Sequence, residues 1–209
     1  MAGALNYNKY PLFDMSEIIQ ELEFGYSKKK DLNPLRQGDQ VPNFSFEKSN
    51  FHWQQFSNGV EKIAPINLLK LLNKPLIVAF YSTQWRSHSL NLLIKLDQLK
   101  QQIKAVNANL LVVSNEKEKG LEKIVWDNSL SLSFYYDIGN VIAEKFGIYS
   151  DQDPVWDKFS GIDSNVPLLS TYVISSQGKI LFDYVDWDFS KDIPAEALIS
   201  SIAGSRAFL

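Results

Sequence analysis

Six apolar residues, Leu76-Ile77-Val78-Ala79-Phe80-Tyr81, run into the polar stretch Ser82-Thr83-Gln84-Trp85-Arg86-Ser87-His88-Ser89, and a long amphipathic segment follows. The apolar run has the length and partly β-branched make-up of a buried strand. Beyond it, Leu92, Leu96, Leu99 and Ile103 recur at the spacing that one helix face turns toward a core. A buried strand feeding a helix through a short loop is where α/β proteins place their chemistry. The helix start offers free N–H groups and a partial positive charge at that point.

Composition narrows the function classes. A chain of 209 residues can bury a real core within one domain. Its 45% hydrophobic and 22% charged residues are those of a soluble globular protein. A net charge of −3 and a pI near 5.4 argue against a nucleic-acid or anionic-membrane surface. The first residues carry no basic stretch followed by an apolar one, and no apolar run approaches the roughly 18 residues of a membrane span. A cytoplasmic protein with no membrane or nucleic-acid partner is the expectation. There is no cysteine. Disulfides, thiolate catalysis and cysteine-ligated metals are therefore excluded. With only His52 and His88 available, neither a metal site nor a cofactor is expected.

Residues 1–13 show no period, and 14–24 read as a helix: Asp14 and Glu17 stand at capping-box spacing, with Ile18, Ile19 and Leu22 as the apolar face. Lysines 28–30 read as a solvated helix end or linker. Residues 1–33 are thus an N-terminal arm with one helix, and 34–209 the main domain. Gly38-Asp39 and Pro42 mark turns, and Phe44 with Phe46 begins an alternating strand. Asn58-Gly59 signals a hairpin, and 66–72 read as a short helix. Residues 110–114 are a second buried strand, so a parallel βαβ unit is predicted. A helix around Leu121, Ile124 and Val125 and a strand over 132–136 come next. Asp137 then caps a helix carrying Ile138, Val141 and Ile142 that stops at Gly147. Residues 149–165 form a long loop. Strands over 168–175 and 179–184 flank the turn Ser176-Gln177-Gly178, and Pro194 opens a last helix with Ala197, Leu198 and Ile202.

From about residue 35 to 202 these pieces, in this order, resemble the peroxiredoxin-like (alkyl hydroperoxide reductase and thiol-specific antioxidant, AhpC/TSA) family of the thioredoxin fold. The resemblance rests on Gly38-Asp39, Pro42 and Phe44; on Phe80-Tyr81 with Trp85; on Asp137-Ile138-Gly139-Asn140 through Phe146-Gly147; and on Thr171-Tyr172-Val173-Ile174 with Gly178, then 182–186. It implies a thioredoxin-like α/β domain of peroxiredoxin type, a central mixed sheet flanked by helices, behind the N-terminal helical arm. It also implies a homodimer, since related folds commonly pair. In the family the turn reads Trp-Cys-x-x-Cys: the first thiolate attacks peroxide and the second cysteine can resolve it. Those positions hold Arg86 and Ser89. Of the family's Pro-x-Pro pair, Pro167 matches the first and Leu169 replaces the second. A cis bond before a non-proline residue costs about 2.5–4 kcal/mol, so a trans bond is predicted before Leu169.

With no family catalytic residue left, Tyr81, Thr83, Trp85, Arg86, Ser87, His88 and Leu169 stand as candidate ligand-binding residues. Two readings of Arg86 remain open. Either its side chain swings into solvent or pairs with an acid of the 149–165 loop, or guanidinium and helix N–H groups converge on a small anion or carboxylate. Adjacent helix residues point about 100° apart, so His88 is poorly placed to activate Ser87 or Ser89, and Ser87 reads as an N-cap. Asp183-Tyr184-Val185-Asp186-Trp187-Asp188 lacks calcium-loop spacing and reads as an edge strand guarded by charge. The Trp residues at 53, 85, 126, 156 and 187 read as core or rim packing, with Trp156 as the expected partner contact. The expected function is non-catalytic binding of a small anion or a protein. The alternatives are an antioxidant oxidoreductase by ancestry, which these residues do not support, and a purely structural or dimerising subunit.

Overall fold

The computed structural model describes residues 31–46, 66–116, 118–189 and 192–204. The helix expected over 14–24, lysines 28–30, the Asn58-Gly59 hairpin and Trp53 lie outside the described residues.

Strand β3 (Leu76–Tyr81) is buried along its whole length because it lies in the middle of a five-stranded sheet. That is why its sequence is continuously apolar rather than alternating. Its neighbours are β4 (Asn109–Ser114), which runs parallel to it, and β6 (Ser170–Ile174), which runs antiparallel. Outside these lie β5 (Phe134–Tyr136), parallel to β4, and β7 (Ile180–Val185), antiparallel to β6. The order is β5-β4-β3-β6-β7. The helices are α1 (Leu68–Leu71), α2 (Arg86–Ala105), α3 (Glu118–Asp127), α4 (Val141–Lys145) and α5 (Ala195–Gly204). The sheet is mixed and the predicted βαβ unit is present as β3-α2-β4.

The core forms two clusters, and Leu76 to Phe80 of β3 belong to the larger one. Phe80 meets Phe146 and Tyr172, with ring centroids 5.1 and 6.3 Å away, and Phe44 joins Phe146 at 6.1 Å. Tyr81 belongs instead to a second cluster with Leu93 of α2, Val112 of β4 and Leu121 of α3. Leu92, Leu96, Leu99 and Ile103 are all buried, as their spacing predicts. Each such side chain contributes roughly 1.5–3 kcal/mol.

Three expectations are corrected by the structure. Residues 66 and 67 are not helical: they form strand β2 (Ile66–Asn67), paired antiparallel with β1 (Ser45–Phe46), which leaves only one turn for α1. Pairing between strands wins there over a helical pattern too short to hold itself. Ile138 and Val141 are half exposed, at 50% and 53%. The Asp137 carboxylate accepts from the N–H groups of Ile142 and Ala143 at 3.0 Å, not from residues two or three ahead. A 3-10 turn with left-handed Gly139 and Asn140 intervenes, so α4 starts later and turns Ile142 and Ala143 inward. Burial pushes the Asp137 carboxyl up, while those N–H donors pull it down. Finally, β7 does not guard its edge by charge alone. Gly38 N–H and Val41 N–H donate to the Ile180 and Gly178 carbonyls, Ile180 N–H donates to the Asp39 carbonyl, and Asp183 accepts from Gln37 N–H and Arg36. Of the described tryptophans, Trp85 is core, Trp156 and Trp187 are partly exposed, and Trp126 is 85% exposed.

Among the described residues no helix is long and apolar enough to cross a membrane, and no group of three metal-ligating side chains comes together. The chain after α4 is tied to the segment that opens the domain: Asn33 and Leu35 N–H donate to the Gly147 and Phe146 carbonyls at 3.0 Å. Gly147 has φ +68, and a Cβ there would lie 1.9 Å from the Asn33 carbonyl oxygen. Gly147→Ala is therefore expected to cost more than the roughly 1–2 kcal/mol of a left-handed backbone alone, read as a lower urea midpoint at unchanged slope.

Candidate functional site

Strand β3 ends because Ser82 leaves it and caps a 3-10 turn over Thr83–Trp85, its hydroxyl oxygen accepting from Gln84 N–H at 3.3 Å. In the parallel register Tyr81 lies opposite Ser114. Two residues beyond each, Thr83 and Glu116 therefore come level. One oxygen of Glu116 accepts three hydrogen bonds: from Thr83 N–H at 2.8 Å, Thr83 Oγ1 at 2.6 Å and Ser82 Oγ at 3.1 Å. A carboxylate of the chain itself thus occupies the donors at the start of the turn. Ser114 Oγ holds it there by accepting from Glu116 N–H at 3.1 Å.

Trp85 and Arg86 then point opposite ways. Trp85 is buried, and its indole N–H donates to the Pro167 carbonyl at 2.8 Å. Its ring meets Phe159 at 5.2 Å and Phe189 at 5.1 Å, and Phe159 stacks on Trp187. Arg86 is exposed, and its guanidinium donates to the Gly161 carbonyl at 3.2 Å. It reaches the 149–165 loop through a backbone oxygen rather than an acid. Its backbone adopts φ 51°, ψ −125°, a region that favours glycine. Strain of this kind costs of order 1–3 kcal/mol.

Ser87 does not cap the helix. Trp85 holds the N-cap position of α2 with no side-chain bond, and Ser82 does the capping one turn earlier. The 3-10 turn, invisible to helix periodicity, displaces the cap. Ser87 and His88 are exposed, and the His88 ring lies 4.6 Å from Phe189. Ser89 is fully buried, with its hydroxyl donating to the Arg86 carbonyl at 3.1 Å. Tyr81, buried beside it, has its phenol pushed up to about 12, by desolvation first and then by the charge of Glu116, against a hydrogen bond with Ser89. Leu169 is buried, and among the described residues no peptide bond is cis, the one before Leu169 included.

The seven candidate residues therefore do not share one pocket. Tyr81 and Thr83 belong to the Glu116 side, and Arg86 to the loop side. His88 and Leu169 line a cleft of about 290 Å³ together with Tyr184, Asp186 and Phe189. Glu116, Phe159 and Phe189 escaped the sequence reading. Only the β3–β4 register brings Glu116 level with the turn, and no local pattern marks it.

The AhpC/TSA family profile matches residues 37–182. No curated protein matches the sequence. Similar solved structures include peroxidoxin BcpB of Mycobacterium tuberculosis, with TM-score 0.58 and 19% identity, covering 84% of this chain and 99% of that one. The reduced 2-Cys peroxiredoxin of Plasmodium vivax gives 0.61 and 15%, covering 83% of each chain. Mycobacterium tuberculosis AhpC gives 0.60 and 14%, covering 84% of this chain and 96% of that one.

Two outcomes follow from the turn. Arg86→Gly and Arg86→Ala both lose the Gly161 contact, but only glycine relieves the backbone, so the glycine variant should be the more stable by about 1–2 kcal/mol in urea unfolding. The unfolded phenol of Tyr81 ionises near 10.0 and the folded one at about 12. Stability is thus fully present below pH 10 and falls as pH rises through that window, by roughly 3 kcal/mol for a two-unit shift. Tyr81→Phe should flatten the decline in unfolding curves taken at successive alkaline pH values.

Proposed function

Because this chain belongs to the AhpC/TSA family and carries no cysteine, we propose that it is a degenerate member whose turn recognises rather than reacts. Its ligand is a carboxylate-bearing partner, and its function is non-catalytic. The observation that carries this reading is the fate of the two reactive positions. Arg86 is exposed and held by a neutral carbonyl, which leaves most of its donors facing outward, while Ser89 is sealed in the core. A guanidinium cannot attack peroxide and stays protonated, but it matches a carboxylate with paired donors.

The ligand class follows from Glu116. A free anion at a helix start draws on N–H groups as well as on a cation. Here the first N–H of the turn, that of Thr83, already bonds Glu116, so Arg86 is the cation left to meet a ligand. In the aromatic group around Trp85, the residue before Arg86, Trp187 stacks on Phe159 and remains 41% exposed. Arginine and tryptophan are among the residue types in which binding energy at protein interfaces concentrates. An acidic surface of a protein therefore fits better than a bare anion; a second copy of this chain is one such protein, and sedimentation tests it.

Purified protein should consume peroxide no faster than a heat-denatured control; turnover above that control restores the oxidoreductase reading. A carboxylate ligand at about 100 times its Kd adds about 2.7 kcal/mol of stability. A melting shift with acidic peptides in the wild type that vanishes in Arg86→Ala is the expected result. A shift of equal size in both proteins rejects Arg86 as the contact.

A further inference from the structure

The 149–165 loop meets the start of α2 at two consecutive residues. Phe159 packs its ring at 5.2 Å from the buried ring of Trp85, whose indole N–H donates to the Pro167 carbonyl just past the loop. Two residues after Phe159, the Gly161 carbonyl accepts from Nη2 of Arg86 at 3.2 Å. Gly161 stands at φ +81, a region that favours glycine, so its carbonyl is aimed by a conformation other residues resist. The loop is held together by bonds of its own. Asn165 accepts from Val155 N–H at 3.2 Å and donates to the Ser150 carbonyl at 2.9 Å, and Lys158 pairs with Asp153 at 2.7 Å. A second observation is the backbone of Arg86, strained at φ 51°, ψ −125°. Such strain persists only where the surroundings over-determine it, and it gathers at clamps and switches.

We propose that this loop is a strap that presents Arg86: seated on Trp85, it fixes the guanidinium for a carboxylate, and a bound carboxylate in turn holds the strap down. The proposal rests on the reading of Arg86 as the carboxylate contact. A guanidinium is a flat fork of five donors, and each of its two-point edges uses one Nη2 hydrogen. A single carbonyl on Nη2 therefore leaves the other edge whole for a carboxylate. Fixing that edge beforehand removes the cost of ordering a long, exposed side chain when the ligand arrives. Affinity and loop closure are then linked, each strengthening the other by the same factor.

The test is cleavage of the full chain after Lys158 by a lysine-specific protease, read by mass spectrometry, which follows the fraction of time the loop is lifted. Arg86→Ala should raise that rate about two- to tenfold, the worth of one hydrogen bond to the seated form. Hexaglutamate should slow cleavage in wild type and not in Arg86→Ala, and hexaglutamine should slow neither. Gly161→Ala removes no contacting side chain, yet it should be cut faster and bind hexaglutamate at least about threefold more weakly by calorimetry. No binding of hexaglutamate by wild type overturns the carboxylate reading and this proposal with it. Binding that is lost in Arg86→Ala while cleavage after Lys158 stays unchanged overturns the strap alone, as does wild-type affinity in Gly161→Ala.

Discussion

Three donors from two consecutive residues, Ser82 and Thr83, meet on a single oxygen of Glu116. Hydrogen bonds to an ionised acceptor are roughly twice as strong as neutral ones, and these form where the chain leaves the central strand. They fix the direction in which β3 gives way to the 3-10 turn, and so the start of α2. From that start Trp85 falls inward onto the Pro167 carbonyl and Arg86 outward to the Gly161 carbonyl. N–H groups at such a turn are a ready anion site, and here the chain's own carboxylate takes the first of them, that of Thr83, together with two hydroxyls. The strain at Arg86 shows that the surroundings over-determine this path.

The rest of the site depends on that geometry. With Trp85 inside, Phe159 and Phe189 pack on it and Trp187 on Phe159, which brings the 149–165 loop and the end of β7 to the same corner. With α2 begun at Arg86, Ser89 turns into the core and His88 out toward Phe189. One family position is thereby closed to solvent and the other opened to it. The same corner holds Asp186 at a cleft that His88 and Lys95 also line.

Much of the fold was legible because burial writes a pattern. Leu76–Tyr81 is apolar throughout since both its faces are covered, and Leu92, Leu96, Leu99 and Ile103 mark one face of α2. The expectations that failed turn on geometry with no period. Asp137 caps α4 only after a turn with two left-handed residues, so Ile138 and Val141 point out although their spacing points in. Residues 66 and 67 take their conformation from Ser45 and Phe46, which lie far off in sequence. The candidate site was legible in its departures, Arg86, Ser89 and Leu169, because these stand at positions the family marks. Its contacts were not: Glu116 reaches Thr83 through strand register, and Phe189 reaches Trp85 through the sheet's far edge.

Whether the turn has truly ceased to hold an anion can be asked by giving one back. In Arg86→Cys the pH dependence of alkylation reports the thiol pKa directly. With the turn's donors bonded to Glu116 and that carboxylate nearby, the thiol should titrate at or above the ordinary value of about 8.5. A pKa depressed well below about 7, with oxidation of the thiol by dilute peroxide, would show the anion site intact and contradict the assignment of Glu116 as its permanent occupant.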